Sequence, residues 1–565
     1  MKTYLTLLLA CFYSLMISAQ EVRITDADLV GGEEYSWTSD NVYILDGLVY
    51  LETGGILNIE AGTVIRGAVE ITTGDNTTAL IISRGAQIFA RGTATAPIIF
   101  TAEDDDLSTY GDFLPRDRGE WGGLIILGSA TVARPDGEDG VEGIDADEAR
   151  AQFGGTNDED NSGVLNYVSI RHGGAQLSPN NEINGLTLGG VGSGTTIDYV
   201  EVFANLDDGI ELFGGTVNVT HAATAFCGDD AYDYDFGWRG NGQYWFSLQS
   251  ADVSTGRAGE HDGAKPDELA PFSNPTIYNA TYVGIGKTAT PVGGDAAKAL
   301  PLSVIFRDNA GGTYANSVFT DYNGAAIAVE DRDDTADGDS YARLQAGDLN
   351  IKNNIFFDFG RGTTAADIFF VVDQNEEINA AASAILVANF TAAGNQLIDP
   401  ELNNAERGEM FDPRPFAFGT AASGAVAPTE AGIEAVAYYG AFAPGNGDSE
   451  DTNWLKGWSA ISNSNAVFDF LNGVGEVEAN GLLLDAPVPN PATEVTTIKF
   501  ELPRAAKVSL TIMDMLGRNM GRFTQQYAAG ANAQQINVAD LPNGNYVIVL
   551  DAEGSRVTQK LVVNN

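Results

Sequence analysis

Apolar residues in this chain come in short runs set between Gly, Asn and Asp turns. One unit reads Leu48-Val49-Tyr50-Leu51, then Gly54-Gly55, Leu57-Asn58-Ile59 and Gly62-Thr63-Val64-Ile65. The next reads Leu80-Ile81-Ile82, Gly85, Gln87-Ile88-Phe89, Gly92-Thr93 and Ile98-Ile99-Phe100, with Gly62-Thr63 and Gly92-Thr93 30 residues apart. Leu124-Ile125-Ile126-Leu127 opens a third. Tyr167-Val168-Ser169-Ile170, Tyr199-Val200-Glu201-Val202, Asn316-Ser317-Val318-Phe319 and Asn354-Ile355-Phe356-Phe357 follow. Side chains alternate across a strand. Such repeats stack when each one buries its apolar face on its neighbours. The pattern predicts an all-β chain whose body, 20–465, is a right-handed parallel β-helix with loop insertions. A β-sandwich is the structural alternative.

The flanks read differently. Met1-Lys2-Thr3 and the apolar stretch 4–19 predict a secretory signal peptide, ending at Ala19-Gln20. Cys11 sits too early in that stretch for a lipoprotein box. Cys227 is then the one remaining cysteine, which excludes a disulfide framework and cysteine-based metal sites. No later run of 18 apolar residues predicts a membrane span. Residues 466–481 read as a linker, and 482–565 as a separate small β domain.

Charge separates the same two parts. From Leu482 onward seven Asp/Glu balance seven Lys/Arg, so the net charge of −48 lies in the rest of the chain. A body this acidic excludes nucleic acid and anionic membranes as partners. It suits a secreted protein exposed to divalent cations. Acidic stretches at 103–106, 136–148, 157–160, 330–339 and 445–451 read as solvated loops. The one at Asp331-x-Asp333 with Asp337-Gly338-Asp339 lacks the EF-hand spacing and its closing Glu.

The densest acidic pattern repeats at a 22-residue offset. Asp207, Asp208 and Glu211 in Leu206-Asp207-Asp208-Gly209-Ile210-Glu211-Leu212 match Asp229, Asp230 and Asp233 in Gly228-Asp229-Asp230-Ala231-Tyr232-Asp233-Tyr234. Twenty-two residues make a plausible coil of a β-helix, which would put equivalent residues about 4.8 Å apart. If Ile210, Leu212, Tyr232 and Tyr234 point inward, then Asp207, Glu211, Asp229, Asp233 and Asp235 point outward. One coil earlier the same lane holds Gly185, Thr187 and Gly189, a nearly bare floor. Like charges so placed repel by about 3–4 kcal/mol per facing pair at an effective dielectric near 20. A bound cation would offset this, and carboxylates in an irregular cluster suit Ca2+. The expected metal ligands are Asp207, Asp208, Glu211, Asp229, Asp230, Asp233 and Asp235. Hydrogen-bonded turns and a catalytic carboxylate pair remain open alternatives.

The tail motifs run in order: Ala486-Pro487-Val488-Pro489-Asn490-Pro491, Ile498-Lys499-Phe500-Glu501-Leu502-Pro503, Leu516-Gly517-Arg518, Leu541-Pro542-Asn543-Gly544-Asn545-Tyr546 and Lys560-Leu561-Val562-Val563. This resembles the type A C-terminal sorting domain of the type IX secretion system of Bacteroidetes. The resemblance implies an Ig-like β-sandwich, the secretion machinery as partner, and a secreted or cell-surface destination. In the body, Asn184–Gly192, 205–218, 228–243 and Tyr438-Tyr439-Gly440-Ala441-Phe442 through Trp454 to Trp458 resemble bacterial surface β-helix proteins that include a leptospiral outer-membrane lipoprotein. That resemblance implies fold and location but no chemistry.

Parallel β-helices also host polysaccharide lyases and hydrolases. Asn205-x-Asp207-Asp208 faintly resembles the paired Asp of polygalacturonases, but no Arg-x-Lys for an anionic sugar occurs in the chain. Arg239, Arg257 and Lys265 are the basic residues near the ladder. Trp238, Tyr244 and Trp245 could stack on a sugar, although such aromatics are more often core. His172, His221 and His261 show no metal spacing. The reading is a secreted surface protein, binding or structural, stabilised by calcium, with no catalytic residues assigned and surface glycans as candidate ligands. A polysaccharide-active lyase or hydrolase is the alternative.

Overall fold

The computed structural model describes residues 20–107, 113–178, 181–332, 338–404, 412–445, 452–462, 483–484, 487–514, 519–539, 541–552 and 555–564. The expected signal peptide, the whole of the expected linker, Asp333, Asp337 and the Leu516-Gly517-Arg518 step lie outside the described residues. The described residues fall into two compact units, one ending at 462 and one beginning at 483.

The first unit is a parallel β-helix. One face is a ladder of ten parallel strands: β1 (Leu48–Leu51), β2 (Ala79–Ile82), β3 (Leu124–Leu127), β4 (Leu186–Gly189), β5 (Ile210–Phe213), β6 (Tyr232–Asp235), β7 (Gly259–Asp262), β8 (Leu302–Arg307), β9 (Ala325–Glu330) and β10 (Phe369–Val372). Their inward residues, such as Leu80, Leu188, Leu212 and Tyr234, are fully buried in the core. The remaining coil strands form a second parallel sheet, in which Gly163–Arg171, Thr196–Phe203 and Asn218–Ala225 bend midway. The bend falls at Tyr167, Tyr199 and His221, with φ of 50°, 55° and 45°. Left-handed backbone is costly for such residues. Stacking offsets the cost, with ring centroids 4.4 Å apart for Tyr167–Tyr199, 4.2 Å for Tyr199–His221 and 4.7 Å for His221–Tyr244. Further along, the same corner is made by Asn279, Asn316 and Asn353, which tolerate positive φ better.

Rungs are unequal in length. Ile59 pairs with Ala90, but Val64 pairs with Ile99, because the Thr93–Ala96 bridge lengthens one turn. The Gly62-Thr63 and Gly92-Thr93 spacing is therefore not a constant rung length.

The outward side of the ten-strand face carries one continuous lane. Tyr50, Ile81, Ile125, Thr187, Glu211, Asp233, Glu260, Ile305, Ala328 and Phe370 are successive register partners. It is apolar at both ends and acidic over three rungs. An excursion between β3 and β4 covers the first apolar stretch, placing Val141, Phe153 and Ile183 against Ile81 and Ile125. Leu300, Leu302 and Phe370 pack around Ile305 and Ala328 at the other end.

Helix α1 (Ala380–Ala392) packs onto the last coil, with Phe390 against Phe369 at 3.8 Å and Phe356 at 5.2 Å between centroids. Asn379 caps its N-terminus by accepting the Ala382 N–H at 3.2 Å. A strap within 412–462 then returns along the bent corner. Asn316 Nδ2 donates to Val426 O at 2.9 Å and Asn279 Nδ2 to Tyr438 O at 2.9 Å. The strap ends on Glu201, a fully buried carboxylate that accepts the N–H groups of Ala460 and Ile461 at 2.7 and 2.9 Å.

The second unit has two antiparallel sheets. Leu483–Leu484, Val495–Leu502 and Gly530–Asn537 form one, and Asn519–Tyr527, Ala506–Asp514, Gly544–Ala552 and Ser555–Val563 the other. Ile498, Phe500 and Ile536 of the first pack with Leu510, Ile548 and Leu550 of the second, so the unit is a β-sandwich. Asn490, between two prolines, donates to Lys560 O at 2.9 Å and accepts from Val562 N at 2.7 Å. The opening motif is thereby tied to the closing strand.

Candidate metal centre

Three stacked turns deliver the acids. Gly228 donates to Asn205 O at 2.9 Å, and a Cβ on Gly228 would lie 1.8 Å from Leu206 O, so only glycine lets one turn sit on the other. Asp208 Oδ1 accepts the Asp230 N–H at 2.8 Å, and Asp230 Oδ1 accepts the Arg257 N–H. Asn205, fully buried, holds the first turn by donating to Asp208 O at 2.8 Å and Ile183 O at 3.2 Å. Hydrogen-bonded turns thus account for one oxygen each of Asp208 and Asp230.

From those turns the chain enters β5, β6 and β7. Glu211 pairs in register with Asp233, the expected 22-residue offset, and Asp233 pairs with Glu260. The acids line a cavity of about 290 Å³ with Thr187 beside Glu211. The β3–β4 excursion supplies its wall through Glu142, Glu182 and Asn184. Nine of the fifteen lining residues are Asp or Glu, and among the described residues none is Lys, Arg or His.

Within the cavity two sets of oxygens converge. Asp207, Asp208 and Asp229 offer ligand atoms within 4.8 Å of one another, and so do Asp208, Glu211 and Asp233. Asn184, 8 % exposed, donates to Glu211 through Nδ2, while its Oδ1 has no hydrogen-bond partner. One oxygen of Asp233 is also buried without a partner. Buried acceptors without donors are what a cation would satisfy.

Burial and mutual repulsion raise these carboxyls. Asp207 is pushed up to about 6 by burial, with Glu182 and Glu142 adding to the effect. Burial, then Asp295, takes Asp229 to about 6. Burial, then Asp229, takes Asp230 to about 7. Asp208, Glu211 and Asp233 are raised well above the ordinary range, again by burial first and neighbouring carboxylates second. Glu260 reaches about 8 despite the Arg307 and Arg257 guanidinium groups beside it.

Some expectations change and others stand. The glycine floor is not bare: a Cβ on Gly185 would meet core Val202 at 2.3 Å, and Gly189 lies under the Phe153 ring. Thr187 alone of the three lines the cavity. Asp230 lines it without joining either converging set. Asp235 pairs in register with Phe213, accepts the Phe236 N–H and lies outside the cavity lining. Arg239 does not neutralise the ladder; it pairs with Asp158 at 3.3 Å. Arg257 binds Asp295 at 2.6 Å, Glu376 at 2.7 Å and Glu260. Trp238 and Trp245 are core residues whose Nε1 atoms donate to Val217 O and Val219 O. His172 and His261 are buried and His221 pairs with Asp198. In the other acidic loop, Asp339 accepts the N–H groups of Ala342 at 2.7 Å and Arg332 at 2.8 Å, capping a short helix.

The residues missed from sequence are Glu260 and the wall. Glu260 follows Asp233 by 27 residues because the turn before β7 is longer, so a search at 22 passes over it. Its alternation with core Gly259 and His261 was the available signal.

Among known families, the one described as pectate-lyase like beta helix domain matches residues 31–397. The one described as secretion system C-terminal sorting domain matches residues 488–564. No curated protein matches the chain.

Proposed function

The chain belongs to the pectate-lyase like beta helix family, and because its sorting domain marks it for type IX export to the surface or medium, we propose that it is a calcium-stabilised surface protein. Its role in this reading is binding or structural, with surface glycans as candidate ligands. The observation that carries the calcium site is the convergence of Asp208, Glu211 and Asp233 beside the unpartnered Asn184 Oδ1. Calcium takes six to eight oxygens in flexible geometry, which suits carboxylates from two rungs and an amide from the wall. An ion there ties the β3–β4 excursion to the coil.

A lyase or hydrolase reading is less well supported. Arg257 and Arg307, which reach the cavity's Glu260, are each engaged with carboxylates that raise their pKa, so they stay protonated and are poor bases. The aromatics that would stack a sugar are in the core.

The test is a thermal melt with calcium and with chelator. Binding to the native state adds about 2.7 kcal/mol at a hundredfold excess over Kd, a shift of a few degrees for a chain of this size. Asp208→Asn keeps the acceptor for the Asp230 N–H while removing the charge, so it should lose the calcium response. An unchanged response in Asp208→Asn would place the ion elsewhere and overturn the assignment.

A further inference from the structure

We infer that the cavity holds two divalent cations, one deep and one at the rim, bridged by Asp208. This rests on the calcium reading above and goes beyond it in number and arrangement.

The two converging sets share only Asp208. The deep set adds Glu211 and Asp233, with Asn184 hydrogen-bonded to Glu211 and lining the same cavity; the rim set adds Asp207 and Asp229. Asn184 is a neutral amide, 8 % exposed, whose Nδ2 donates to Glu211 while its Oδ1 meets no donor. An ionised carboxylate has about four lone-pair positions. Asp208 gives one to the Asp230 N–H at 2.8 Å and keeps enough for a bridge.

Charge and volume agree. One divalent ion balances two of the nine lining carboxyls, and no basic side chain lines the cavity among the described residues. The guanidinium groups of Arg257 and Arg307 reach Glu260, so the uncompensated charge lies on the Asp207–Asp233 side. About 290 Å³ is on the order of ten water volumes at roughly 30 Å³ each, room for two ions with waters completing their shells.

The experiment is equilibrium dialysis of the full chain against saturating radiolabelled Ca2+, comparing ions bound by wild type and variants. Relative to wild type, Asp207→Asn and Glu211→Gln should each lose one ion, and Asp208→Asn should lose two. Glu211→Gln keeps an acceptor for Asn184, and circular dichroism verifies each fold. If Asp208→Asn does not fold, the other two decide. Loss of one ion by each and two by their combination supports the pair; loss of the same single ion by both overturns it. A one-ion loss in Asp208→Asn leaves the calcium site standing but overturns the bridge. No loss in any variant overturns both readings, and ions retained by all variants lie elsewhere.

Discussion

Glu211 and Asp233 are register partners on adjacent parallel strands, facing the same side of the sheet, with ligand oxygens within 4.8 Å of each other. At an effective dielectric near 20, two charges so placed repel by about 3–4 kcal/mol. The lane they occupy is apolar on the rungs beyond, so the fold accepts the acids only where a cavity opens.

In the ion-free protein the carboxyls titrate higher folded than unfolded, so between those values the folded chain holds protons the unfolded chain has lost. Their stabilising protonation is fully present below the ordinary carboxyl range and is lost as pH rises through about 6 for Asp207 and Asp229, about 7 for Asp230 and about 8 for Glu260. His172 and His261, lowered to about 4 and about 3 by burial, act oppositely, but only below their ordinary value of 6.5. In chelator, Tm should therefore fall from pH 6.5 to 8; with saturating calcium the slope should flatten. Equal slopes would dissociate the acids from the ion.

Arg257 is 1 % exposed and serves Glu260, Asp295 and Glu376. Replacing it by Met takes the buried cation from all three, leaving Glu260 to Arg307 and Asp295 and Glu376 to Lys298. Urea titration should show a loss of about 1.5–3 kcal/mol, the scale of lost hydrogen bonds to charged groups. A loss below about 1 kcal/mol would mean the network relaxes into solvent.

Glu201 anchors the strap by accepting from Ala460 N and Ile461 N, and Ser169 Oγ of the neighbouring coil strand donates to the same carboxylate. Glu201→Ala strands two buried amides, a cost of about 2–4 kcal/mol. Limited proteolysis should then cut within 445–462 before the coil is attacked, whereas Glu201→Gln should resist longer. Equal cleavage of wild type and Glu201→Ala would show that the edge-on contacts of Trp454 with Tyr199 and His221, and of Trp458 with Tyr199, hold the strap unaided.

Deleting 483–565 removes a unit with its own core and should leave the body's melt and calcium response unchanged. In the native host the truncated chain should accumulate in the periplasm. Its appearance at the surface at normal levels would refute the assignment of export to the tail.

Strand runs, turn residues and the 22-residue acidic offset were legible because they are local. Period two and a constant rung set which residues face out, and Glu211 opposite Asp233 follows from counting. The tail was legible for a similar reason, its motifs being short and ordered, with Asn490 bound to the closing strand. Rung inserts blurred the rest: the 27-residue step to Glu260 and the four-residue difference between the Ile59–Ala90 and Val64–Ile99 offsets follow no single period.

What covers an outward face is not local. Thr187, Gly189 and Asp235 share the lanes of Glu211 and its neighbour, yet the Phe153 ring lies over Gly189 and Asp235 falls outside the cavity. The same holds for charge. Arg239 is close to the ladder in sequence but belongs to Asp158, while Arg257 is matched by Glu376, 119 residues on. Sequence spacing determines register and the facing of side chains, because both repeat along the strand. Burial, and with it whether a carboxylate meets water, a proton or a cation, was decided by segments that only folding brings together.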